Sequence, residues 1–264
     1  DQALPLRYPF ELSFCFIRLD NSFMLSEKSN RRFDMVRLNP KPASDAADVI
    51  KAAALRLFAA RGVDGVTVRE IATEAGQKNH AAVGYHFGSK EALIRELIID
   101  GARNIDAERN ALLDELEARR KAPDTREICE VLVYPSVNPS GPDAEEECYN
   151  RFIVLLGMSH REFLMDVLAG KLNSGYLRCL EHLKRLMFPL PDHIVSQRLV
   201  FVETYIGSVL SARESLLSDQ SREHPTWQSP RTLRHFIDTL IAIIEAPYLS
   251  EKPDPVFIEK EKAV

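Results

Sequence analysis

From Ile50 onward the apolar positions fall as Ile50, Ala53, Ala54, Leu57 and Phe58, one stripe on a helix of 3.6-residue period. Ser44 or Asp45 can cap its start, and Gly62 stops it after Arg61. Thr67-Val68-Arg69-Glu70 then reads as a capping box, opening a second helix that turns Ile71, Ala72 and Ala75 inward and ends at Gly76. A polar run from Gln77 to His80 leads into a third short helix carrying Ala81, Ala82, Val83 and Phe87. Gly88-Ser89 caps a fourth, much longer pattern from Lys90 to about Arg120, with Leu93, Leu97, Ile98, Gly101, Ile105, Leu112 and Leu116 near one face. A helix of that length spans on the order of 45 Å and can join a head to a body.

Beyond Pro123 the pattern predicts further helices. A short one over 124–134 is broken by a Pro-rich loop from Tyr134 to Pro142. Asp143 to Leu168 follows, then Lys171 to Phe188, Asp192 to Leu217 and Ser229 to Ala246, the last two separated by a polar loop around Pro225 and Trp227. The expected class is all-α. Residues 45–92 form the head, with the recognition unit over 67–87, residues 93–247 the helical body, and 248–264 a Pro-containing tail. Residues 1–44 read differently. Phe14 to Leu19 hint at a strand without a partner, and Lys28 to Lys41 carry five basic residues against Asp34. That segment is an arm touching phosphates or the minor groove, a disordered tail, or residues ahead of a true start at Met24 or Met35.

Composition changes little: 264 residues, 45% hydrophobic and 28% charged, are ordinary for a globular chain of two modest domains. No apolar run is long enough for a bilayer and no signal-peptide cleavage pattern appears, so a cytoplasmic protein without membrane partners is expected. The four cysteines show no C-x-x-C and no zinc spacing; reduced thiols are the plain reading, a Cys129–Cys148 redox pair the alternative. Charge is uneven. Residues 1–90 hold 13 Lys/Arg against 10 Asp/Glu, and the remainder 21 against 29, a basic end on an acidic body.

Two short helices joined by a tight Gly-containing turn and packed on a preceding helix make a helix-turn-helix, whose second helix can enter a DNA major groove. Three runs carry a resemblance: A-x-x-L-F-x-x-x-G over Ala54 to Gly62, T-V-R-E-I-A-x-x-A-G over Thr67 to Gly76, and Y-H-F-G-S-K-E-A-L over Tyr85 to Leu93. In these the sequence resembles the TetR-type transcriptional regulators. It departs in having eleven residues from Gly76 to Phe87, one more than the family usually has, which shifts Tyr85. Lys78, Asn79, His80 and Ala81 are placed in the turn and first turn of the recognition helix, where Asn suits adenine and Lys a guanine or phosphate. His80 is a DNA contact or a solvated polar residue. The resemblance implies that Thr67, Arg69, Tyr85, His86 and Lys90 hold phosphates, with a structural role competing for His86 beside Phe87. It also implies that residues 89–120 transmit ligand binding to the head.

For the body the likeness is one of architecture only. By resemblance, residues 192–217 and 229–246 form a homodimer interface; burial within one subunit is the alternative. Aromatic and polar groups on the middle helices (Phe152, Met158, His160, Phe163, Tyr176, His182) are weak candidates for ligand contact, being more often core. The expected protein is a homodimeric repressor on double-stranded operator DNA, its recognition helices about 34 Å apart, released by a small-molecule effector. An activator of the same fold is the alternative, and an enzyme or protein-interaction module the competing classes. No phosphate loop, H-E-x-x-H, nucleophile elbow or metal cluster is present, so neither catalysis nor a cofactor is expected.

Overall fold

A computed structural model describes residues 45–137, 148–168 and 172–248. The possible strand and basic arm within residues 1–44, most of the Pro-rich loop and most of the tail lie outside them, as do Ser44 and the Asp45 side chain as caps. Every element among the described residues is helical. The head is built from α1 (Asp45–Arg61), α2 (Val68–Glu74) and α3 (Ala82–Phe87). Ile50, Ala53, Ala54 and Phe58 of α1 are fully buried, whereas Leu57 only borders the core. Gly62, Gly76 and Gly88 all sit at positive φ, between 64° and 79°, where a Cβ is strained, and each ends a helix of the head. The capping box forms: Thr67 Oγ1 accepts from Glu70 N, and Thr67 N donates to Glu70 Oε2.

The long helix α4 runs Lys90–Glu117, about 42 Å at 1.5 Å per residue. Its first half (Leu93, Ile94, Leu97, Ile98) belongs to the core of the head. Its second half (Leu113, Leu116) belongs to the core of the body, together with α5 (Thr125–Val137), α8 (Ser174–Leu186), α9 (Asp192–Leu217) and α11 (Pro230–Glu245). Leu113, absent from the expected stripe, is fully buried, while Leu112 is only packed against the cluster.

Three expectations change. The helix expected to break at Tyr134 continues as α5 through Pro135 to Val137. Pro135 is buried in the final turn, where only one ladder bond is lost, and Arg109 steadies that turn by donating to Leu132 O and Ser136 Oγ. The single helix expected over Asp143 to Leu168 is, in its described part, two: α6 (Tyr149–Ser159) and α7 (Arg161–Leu168). His160 (φ −136°, ψ 48°) breaks it, and its Nε2 lies 2.8 Å from Asp64 Oδ2 in the α1–α2 turn. The polar loop at Trp227 contains a helical turn, α10 (Pro225–Gln228).

α6 joins the two halves. Phe152 stacks on Phe58 of α1 with ring centroids 6.1 Å apart. In the same first turn the buried Glu214 of α9 accepts from the backbone N–H of Asn150 and Arg151 and from Asn150 Nδ2, at 3.0, 2.7 and 2.7 Å. A carboxylate there answers both the unpaired N–H groups and the positive end of the helix dipole. Asp106 does the same for α8, accepting from Gly175 N and Ser174 Oγ. Arg198 provides the inverse, donating to Ile244 O and Ala246 O at the end of α11. Close approach matters at Gly101, where a Cβ would fall 2.2 Å from the Tyr149 ring.

Candidate nucleic-acid interface

α3 is the shortest helix of the head, and its two faces differ sharply. Ala82, Val83 and Phe87 are buried against the head; Ala81, Gly84 and Tyr85 look outward. Nothing lies within 4 Å of a Cβ built on Gly84, so the outer face is flat apart from Tyr85, which is 80% exposed. Such a surface lets backbone approach a groove closely. Lys78, Asn79, His80 and Ala81 form the exposed turn before α3 rather than its first turn, because the helix starts at Ala82. Asn79 Oδ1 accepts from Ala81 N at 2.9 Å, closing that exposed turn. His86, half-buried, is edge-on to Tyr85 with centroids 5.1 Å apart.

Two residues expected to hold phosphate already have hydrogen-bond partners in the head. Lys90 Nζ donates to Val63 O at 2.7 Å and Val66 O at 2.8 Å, fastening the start of α4 to the turn that leads into α2. The Thr67 hydroxyl donates to Glu70 Oε2 while accepting from Glu70 N. Arg69, on the first turn of α2, is exposed. Sequence reasoning missed an ion pair and a hydrogen bond that fix this end of the head. Arg61 Nη1 meets Glu70 Oε1 at 2.8 Å, and His160 meets Asp64. The second joins positions 96 residues apart, so no local pattern announces it.

Glu70 is held down to about 2, first by the Thr67 backbone N–H, then by its hydroxyl and by Arg61. The folded value lies below the ordinary 4.5, so the contribution to stability is full above about pH 4.5 and is lost as pH falls toward 2. Replacing Thr67 by Ala removes the cap and is expected to cost about 1 kcal/mol of stability in urea unfolding at pH 7. In an acid series, the melting-temperature advantage of the wild type over Glu70→Gln should be flat above pH 5 and gone near pH 2. A pH-independent gap would refute the linkage.

The residues weighed as ligand contacts are scattered. Phe152 is fully buried in the joint with Phe58, Phe163 is covered by Arg95 (4.7 Å to the ring centroid), and Tyr176 faces Arg109 at 5.8 Å. Met158 is exposed, His160 pairs with Asp64, and His182 Nε2 meets Glu117 Oε1 at 2.9 Å. The Cys129–Cys148 pair does not form, and burial pushes the Cys129 thiol up to about 12. No group of three or more His, Cys, Asp or Glu residues fit to hold a metal occurs among the described residues. No helix among them is long and apolar enough to cross a membrane.

A helix-turn-helix head carried by a helical body through one continuous helix defines a class of DNA-binding regulator. Residues 50–97 match the family model described as bacterial regulatory proteins, tetR family. Over those residues the chain carries a DNA-binding domain of the TetR type. Among solved structures it is similar to a tetR-family bacterial regulatory protein from Rhodococcus RHA1, at 20% identity, covering 76% of this chain and 98% of that one, TM-score 0.49. It is also similar to superantigen PfiT (19%, 77% and 98%, 0.43) and to a TetR-family regulator candidate from Mesorhizobium loti MAFF303099 (17%, 75% and 95%, 0.45). No curated protein matches the chain.

Proposed function

We propose that this chain is a homodimeric repressor, acting in the cytoplasm, that leaves its operator when a small molecule binds the body. One observation carries the reading: the exposed turn Lys78–Ala81 continues into an α3 whose outer face is small apart from Tyr85, while its inner face is locked into the head. In this reading Lys78, the Asn79 amide and His80 reach base edges or phosphates, and Arg69, Tyr85 and His86 hold phosphates. Thr67 and Lys90 act by fixing the start of α2, whose free N–H groups favour an anion. Dimerisation is supported by α9. Gln197, Phe201, Thr204, Ser208, Ala212 and Ser215 form an exposed stripe at helical spacing without a charge, and Phe201 is 56% exposed. Leu210, Phe236, Leu240 and Ile244, by contrast, are buried within the subunit.

Fluorescence anisotropy on the DNA upstream of its own gene tests this, with sedimentation of the same samples. The wild type should bind as a dimer, specifically and with steep salt dependence. Lys78→Ala/Tyr85→Ala should weaken binding roughly 10- to 100-fold and flatten the salt slope by about one for each phosphate the variant no longer reaches. A folded double variant that binds as well as the wild type would sink the assignment of this surface.

A further inference from the structure

We propose that Arg109, inside the body, is the recognition residue of an anion site that takes the carboxylate of a small-molecule effector. This rests on the body being the effector-responsive part of the regulator. Arg109 leaves α4 toward α5 and α8. Its Nη2 donates to Leu132 O at 2.9 Å and to Ser136 Oγ at 2.8 Å, both neutral acceptors. Its Nε is buried and has no hydrogen-bond partner. Three other arginines of the body have carboxylates, Arg119 with Glu127, Arg126 with Asp238, and Arg178 with Asp114 and Glu117, whereas Arg198 donates to the carbonyls of Ile244 and Ala246. Arg109 has no such ion pair among the described residues.

The nearby acid does not supply one. Both oxygens of Asp106 are taken up by Gly175 N, Ser174 Oγ and Asn110 Nδ2. Tyr149 donates its hydroxyl to Ile98 O, and the Tyr176 ring lies beside the guanidinium. Burial pulls the Arg109 pKa down, but a guanidinium stays charged at neutral pH. A part-buried cation whose partners among the described residues are neutral, and whose Nε–H has no acceptor among them, favours a bound anion. A carboxylate fits because its two oxygens match neighbouring donors of one guanidinium edge. One oxygen takes the Nε–H, and the other displaces the weaker Ser136 hydroxyl from Nη2.

The alternative is a purely structural clamp on the Pro135 turn, and melting curves separate the two. The probes are benzoate and hexanoate, against benzamide and hexanamide at equal ionic strength. Carboxylates should raise the wild-type midpoint saturably, by about 3–6 °C at tenfold over Kd, and the amides should not. Arg109→Met should lose the carboxylate response, and Arg109→Lys should keep a weaker response. Arg109→Lys carries the test if Arg109→Met does not fold. A stabilising carboxylate should also weaken DNA binding at least about 5-fold in the same samples. Equal shifts with amides, no saturable shift with either carboxylate, or an undiminished response in Arg109→Met overturns the anion site. If DNA binding by the wild type then remains intact, the regulator reading stands. Absence of specific DNA binding overturns that reading instead, whatever the melting curves show.

Discussion

Phe152→Ala is expected to lower the unfolding free energy by about 3–5 kcal/mol. Phe152 is fully buried, and its ring stacks on Phe58, so truncation opens a void between head and body. The void cannot close easily. α6 is held at its N-terminus by Glu214 and, just past its C-terminus, by the His160–Asp64 contact. Residues of α1, α3, α4, α6 and α7 share one apolar cluster, so head and α6 should melt together. Urea unfolding followed by far-UV circular dichroism gives the answer. A midpoint that falls with a single transition supports the joint. A loss below about 1 kcal/mol, or a head that melts separately with the body unchanged, would show that Phe152 is not the tie.

Glu214→Ala is expected to cost about 2–4 kcal/mol, because it strips the acceptor from three donors at the start of α6. Glu214 is only 3% exposed, so water does not readily replace the carboxylate. Asn150 Nδ2 also donates to Ser136 O, which ties the end of α5 to the same point and spreads the damage there. Glu214→Gln keeps the shape but offers one acceptor oxygen and should fall between wild type and alanine. Amide hydrogen exchange at Asn150 and Arg151 should accelerate in step with the lost stability. Unchanged exchange at those two amides would mean the carboxylate is not their cap.

The head is legible in the sequence because its signals are local. A stripe at i, i+3 and i+4, a Thr-x-x-Glu box and three glycines where the backbone must turn left-handed each act within a few residues. The body is legible only as a succession of helices. Pro135 reads as a breaker by its local rule, yet one lost ladder bond in a final turn is outweighed by the burial of Val131, Leu132, Val133 and Val137 around it. His160 reads as mid-helix, since nothing in its neighbours along the chain shows a contact with Asp64, 96 residues away. The candidate DNA surface divides in the same way. Exposure of Lys78 to Ala81 follows from their polarity and position. The intramolecular bonds of Lys90 and Thr67 do not, because a side chain that can grip a phosphate can equally bind a carbonyl or a carboxylate brought to it by the fold.

What the sequence determined by itself is therefore the helical class, the helix-turn-helix and the face of α3 that remains outside, all consequences of periodicity and capping. Tertiary structure alone decided which charges lie inside and what they meet. Glu214 and Asp106 at helix starts, Arg198 at a helix end and Arg109 among neutral groups read in sequence as ordinary surface charges. Their roles arise because desolvation makes each buried charge depend on partners supplied by other helices.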